Sequence, residues 1–217
     1  MSIFSDHQVK DLVAEGEIVI DPYFDVFQGP NCYHCHLGNK FKKISPRYVK
    51  GNGFFDPLEK VPDDFYQEFK VEDEYIIKPG EFTLGETFEY FGAGADYVIK
   101  LLNSSSIARI GISQAALGMI NAGCGIKKPI KLTLELINNA PIPIKLRITK
   151  INDKGVVFWG TEVLKVVIEQ MNSKPKRPYD EWKYGVYSSD SKVEGTKMAN
   201  RFDDKNLVIP ENSLYSK

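Results

Sequence analysis

Residues 131–137 read Lys-Leu-Thr-Leu-Glu-Leu-Ile. In an extended chain successive side chains point to opposite sides, so Leu132, Leu134 and Leu136 share one face and Lys131, Thr133 and Glu135 the other. Such strict alternation predicts a half-buried strand. Turn residues punctuate the chain on either side of it. Pro141 and Pro143 follow, Gly123 and Gly125 precede, and Pro79, Gly80, Gly92 and Gly94 lie further upstream. Residues 147–158 read as a hairpin around the turn at 152–155. Many short strands at this spacing predict a mainly β sandwich or barrel. The exception is residues 5–16, which read as a helix. Ser5 and Gln8 have capping-box spacing, Val9, Leu12 and Val13 share a face, and Gly16 is a natural stop. A short strand over 17–20 should follow.

Composition sets the class. The 217 residues carry 28 Lys+Arg against 29 Asp+Glu, with 42% hydrophobic and 26% charged side chains. This balance excludes a disordered chain and a nucleic-acid binder working by bulk positive charge. Three cysteines form no disulfide framework, the N-terminus lacks the apolar run of a signal peptide, and no stretch reaches the ~18 apolar residues a membrane helix needs. The expectation is a cytoplasmic protein that engages neither membrane nor nucleic acid. Residues 56–74 hold eight acids and two lysines and read as a solvated acidic loop. Residues 1–170 read as one domain. Residues 171–217 form a polar tail that would close over a ligand or pack on a neighbouring subunit.

Several stretches, in order, resemble one family. They are SDHQVKDLVAEGEIVIDP (5–22), PNCYHCHLGNKF (30–41), IIKPGEFTLGETFEY (76–90) with NSSSIARIGIS (103–113), and KLTLELINNAPIPIKL (131–146). Together they are similar to the deoxycytidine triphosphate (dCTP) deaminases of the deoxyuridine triphosphatase-like superfamily. The resemblance spans roughly residues 3–170, with an echo in KRPYDEWKY (176–184). It implies a distorted jelly-roll β-barrel assembled as a homotrimer with sites between subunits. It also implies hydrolytic deamination of dCTP, or a close cytosine deoxynucleotide, to dUTP and ammonia. Mg²⁺ would arrive with the phosphates, and no zinc or other metal would have ligands of its own.

Hydrolytic deamination at cytosine C4 needs a positioned, deprotonated water, protonation of N3 and then of the leaving amine, and a dry site. One carboxylate that reaches both water and base can carry every proton. Glu135, on the face opposite the leucines, is the candidate. Ser105 and Ser106 open a short helical turn whose free N–H groups suit an anion, and Arg109 supplies a positive fork one turn later. The resemblance makes Ser105 and Arg109 catalytic supports. It assigns Ser104, Ser106, Asn121, Tyr179, Lys183 and Lys192 to nucleotide binding. Asn121, where the family carries Asp, can hydrogen-bond a sugar hydroxyl but cannot act as a base. It argues against pyrophosphate hydrolysis. Two alternatives stay open: a non-catalytic, nucleotide-binding regulatory homologue, and a triphosphatase.

Cys32, His34, Cys35 and His36 fall within five residues. In a strand, Cys32, His34 and His36 would point one way and Cys35 the other, so the C-x-x-C pair would not close on one metal. Substituted packing positions are the expected account.

Overall fold

A computed structural model describes residues 2–49, 55–187 and 192–200. The elements run in chain order as α1 (Asp6–Ala14), β1 (Ile18–Asp21), β2 (Tyr33–His36), β3 (Lys40–Ile44), α2 (Pro46–Val49), β4 (Tyr66–Lys70), β5 (Glu74–Ile77), β6 (Phe82–Ala93) and β7 (Tyr97–Asn103). They continue as α3 (Ser105–Ala108), β8 (Ile112–Gln114), β9 (Met119–Ile120), β10 (Ile130–Asn138), β11 (Ile144–Arg147), β12 (Lys150–Ile151), β13 (Val157–Phe158) and β14 (Glu162–Gln170). The helix α1 starts as the sequence predicts, with the Ser5 N–H donating to Gln8 Oε1 at 3.0 Å. It stops at Gly16, whose φ of +76° is the left-handed conformation glycine adopts without penalty.

The fold is the mainly β jelly-roll arrangement the sequence predicts. One large sheet runs β4-β3-β6-β10-β8, with β1 also on β6, and a second runs β2-β14-β7-β9. Both feed one core cluster that includes Tyr33, Phe91, Ile99, Leu134, Leu136 and Ile168. Among the described residues no ladder joins the two sheets, so the expected barrel closure is not present in hydrogen bonds. The long strand β6 is the spine. Its C-terminal end pairs with β1 and its length pairs with β10, placing Leu134 opposite Gly85 and Glu135 opposite Leu84. Burial along β10 alternates residue by residue, as its sequence dictates.

Two expectations need correction. The hairpin is shorter than 147–158: β12 pairs with β13, whereas Arg147 ends β11, which pairs with β5. Ile144 and Leu146 are buried on β11, and this apolar pair draws the segment into the core. Residues 56–74 are not simply a solvated loop, because they contain β4 and the buried Phe65. Their acids are partly paired, Glu68 with Lys42 at 2.8 Å and Asp64 with Arg47 at 2.5 Å. In the tail, Tyr179 and Val193 are buried and Trp182 packs on the core. The tail's remaining parts, 188–191 and 201–217, lie outside the described residues.

Candidate active site

The outer face of β10 floors a cavity of about 710 Å³. Lys131, Thr133 and Glu135 line it, Leu132 reaches it as well, and Leu134 and Leu136 stay in the core. Phe82 and Leu84 of β6, Leu101 of β7 and the segment 118–121 form its walls, and Tyr66, Tyr179, Tyr187 and residues 194–196 line the remaining side. Glu135 is partly buried here, and burial pushes its carboxyl above the ordinary glutamate range. A carboxyl raised this way gives up and takes back protons nearer neutrality than an exposed one, which suits general acid–base work.

Asn121 is held at the rim by a close backbone approach. The Cys124 N–H donates to the Asn121 carbonyl at 3.0 Å, and the Ala93 N–H donates to the Cys124 carbonyl at 2.8 Å. This turn lies directly on β6. A Cβ at Gly125, whose φ is +76°, would stand 2.7 Å from the Phe91 carbonyl oxygen. Tyr179 is fixed from the same loop, its N–H donating to the Ala122 carbonyl at 2.9 Å.

The tail covers one side of the floor. The Glu194 N–H donates to Thr133 Oγ1 at 3.0 Å and the Val193 N–H to Glu86 Oε2 at 3.2 Å. A Cβ on Gly195 would collide with the Tyr66 ring, so only glycine lets the chain pass there. Beneath this strap, Lys131 Nζ lies 3.6 Å from Glu86 and donates to the carbonyls of Thr87 and Phe88 at 3.0 and 2.9 Å. Burial lowers the Lys131 ammonium and raises the Glu86 carboxyl, each opposed by the other's charge.

The structure thus brings Glu135, Asn121 and Tyr179 to one cavity. It does not bring the other predicted site residues there. Ser105, Ser106 and Arg109 are exposed on α3, outside the cavity lining. Ser104 has no accessible surface, and its hydroxyl donates to Glu162 Oε1 at 2.7 Å. Nucleotide binding was expected of Ser104, and its hydroxyl is instead engaged by this carboxylate. Lys183 is exposed with its ammonium 5.1 Å from the Tyr184 ring, and Lys192 is exposed beside the strap, and neither lines the cavity. Lys131, Thr133 and Tyr66 were not singled out as site residues from sequence. The first two share the Glu135 face by simple alternation, so that signal was present. Tyr66 comes from a segment 69 positions before Glu135, and no local pattern links them. Among the described residues, no group of three His, Cys, Asp or Glu side chains is placed to hold a metal ion.

Residues 3–150 match the model of the dCTP deaminase-like family. The chain belongs to that family. It is 34% identical over 200 residues to a dCTP deaminase, dUMP-forming, from Methanothermobacter thermautotrophicus, with 90% of each chain covered. It is 30% identical over 200 residues to the enzyme of the same name from Methanosphaera stadtmanae, again covering 90% of each. In structure it is similar to the 2′-deoxycytidine 5′-triphosphate deaminase of Agrobacterium tumefaciens, with a TM-score of 0.52 and 16% identity. That match covers 78% of this chain and 48% of the other, so this chain spans about half its length. The names of the two sequence relatives depart from the product expected here, because they specify dUMP rather than dUTP. No described helix is long and apolar enough to cross a membrane.

Proposed function

We propose that this chain is a cytoplasmic enzyme that deaminates dCTP and releases dUMP, ammonia and pyrophosphate, consuming two waters. The observation that carries the reading is Glu135: a carboxyl raised by burial, on the floor of a cavity large enough for a nucleotide, on a strand within the residues that match the family. Glu135 takes a proton from the water that attacks C4, passes it to N3, and carries the next proton to the departing amino group. Burial keeps the site dry enough for these transfers to compete with bulk water. The side-chain amide of Asn121, at the rim, receives the deoxyribose hydroxyl. The second water cleaves between the α- and β-phosphates, and Mg²⁺ carried by the phosphates would supply charge neutralisation there.

Exposed Ser105, Ser106 and Arg109 support an active site shared between copies in a homotrimer. Polar groups at the start of a helical turn, with a guanidinium one turn on, would complete a neighbour's cavity and face its substrate.

The test is incubation of the purified protein with dCTP and Mg²⁺, followed by separation of nucleotides and assays for ammonia and pyrophosphate. Ammonia, dUMP and pyrophosphate in equal amounts are expected. Accumulating dUTP would overturn the second hydrolysis. Binding of dCTP with no product would overturn the enzyme reading and favour a regulatory homologue.

A further inference from the structure

Outside the cavity, the segment 28–34 builds a second constellation that deamination does not use. Cys32 and His34 leave the same side of the chain, as alternation requires, and Cys32 Sγ lies 3.9 Å from His34 Nε2. The other ring nitrogen, Nδ1, lies 2.9 Å from Glu162 Oε2 on β14. That carboxylate fixes the tautomer: Nδ1 carries the proton, and the Nε2 lone pair faces the sulfur. Ser104 donates to the other oxygen of Glu162 at 2.7 Å, so the carboxylate cannot swing away. The turn above the pair is built to hold it. The Gly29 N–H donates to the Cys32 carbonyl at 2.8 Å, and Gln28 Nε2 donates to the Gly29 carbonyl at 2.7 Å. A Cβ on Gly29 would stand 3.3 Å from His34 Nε2 and 3.6 Å from Cys32 Sγ.

The three cysteines differ in access. Cys35 and Cys124 are buried, Cys35 without accessible surface, whereas Cys32 is partly exposed. A thiol within reach of a base that a third group orients is the general arrangement of an activated nucleophile. Zinc does not explain the cluster, because His36 turns instead to Glu89 at 3.0 Å and Cys35 faces the core.

We propose that Cys32 is a nucleophilic thiol that undergoes exchange with low-molecular-weight disulfides, with His34 as its base and Glu162 as the positioning residue. The Cys32 proton passes to His34 Nε2. The thiolate then attacks one sulfur of the disulfide, the S–S bond breaks, and the departing thiolate recovers the proton from the imidazolium. The products are a mixed disulfide on Cys32 and one free thiol, and no further oxidant is consumed.

The experiment uses the full chain and glutathione disulfide, followed by intact mass and peptide mapping over a range of pH. One glutathione per chain, mapped to Cys32 and lost in Cys32→Ser, is expected. At pH 7, His34→Gln should slow the reaction by about 10-fold or more, given that general bases contribute ~10²–10⁴-fold. At pH 10 the gap should close, because a thiol then ionises without help. Glu162→Gln should move the rate profile in the same direction by a smaller amount, and it keeps the proposal testable if the histidine variant does not fold. An adduct on Cys35 or Cys124, no adduct at all, or superimposable pH profiles for the parent and both variants would overturn the proposal.

Discussion

Glu135 and Arg109 sit on two segments whose residue patterns are equally distinct, and they end in different surroundings. Glu135 belongs to a nine-residue strand hydrogen-bonded on both edges, and it faces a cavity of about 710 Å³. Arg109 caps a four-residue helix and is exposed, together with Ser105 and Ser106. The difference teaches that one folded chain holds only part of the constellation the sequence suggests. The cavity floor with Glu135 is internal, and the turn that carries Ser105, Ser106 and Arg109 faces outward. On the reading proposed above, a second copy would complete a site divided this way, and each part can be altered separately.

The largest effect should come from the internal part. Glu135→Gln is expected to lower turnover by ~10²-fold or more, the scale of general acid–base catalysis, while dCTP binding measured by calorimetry persists. Unaltered ammonia release from this variant would detach Glu135 from the chemistry. Next comes the external part. Arg109→Ala should lower turnover by ~10–100-fold, from the loss of a charged hydrogen bond of about 1.5–3 kcal/mol, and leave thermal stability within about 0.5 kcal/mol because the side chain is exposed. The decisive sharpening is to refold the two variants together. If copies share sites, mixed oligomers contain some sites with both Glu135 and Arg109, and activity rises well above either variant alone. If each chain works by itself, the mixture stays as inactive as its parts.

A smaller effect concerns pH. Burial raises the Glu135 carboxyl above the ordinary 4.5, and its ionised form is the proposed base. As pH falls through that raised value the base is protonated, so the acidic limb of the kcat/KM profile should lie above 4.5. A limb at or below that value would place the essential base elsewhere. The same shift has a sign for stability. The folded state holds this proton more tightly than the unfolded chain, so Glu135 weakens folding as pH rises through its folded value. Glu135→Gln should therefore melt no lower than the parent at pH 7. The smallest effect is expected at the strap. Thr133→Val removes the acceptor for the Glu194 N–H and should cost about 0.5–1.5 kcal/mol, read as faster proteolysis within residues 192–200. Equal cleavage rates would mean that its other contacts, among them the Val193 N–H on Glu86 and the Lys197 N–H on the Tyr187 hydroxyl, hold the strap without Thr133.

Much of this fold was legible along the chain. The strand β10 and the start and stop of α1 follow from period-two alternation, capping chemistry and the freedom of one glycine, all of which act within a few residues. The hairpin boundary was misplaced because the turn at 152–155 is local, whereas the pull on Ile144 and Leu146 comes from β5, about 70 positions earlier. The acidic stretch misled for a related reason: its partners Lys42 and Arg47 lie outside it.

The sequence by itself determined that this is a mainly β chain of the dCTP deaminase-like family and that Glu135 stands on the non-core face of its strand. Residue order is enough for both, since alternation and motif spacing need no knowledge of distant neighbours. Only the tertiary structure decided that Ser104 is consumed by Glu162, that the tail passes over Thr133 and Tyr66, and that Cys32 meets a base held from β14. Each of these depends on which strands lie side by side. That is set by burying apolar faces from the whole chain at once, a condition no short stretch of sequence contains.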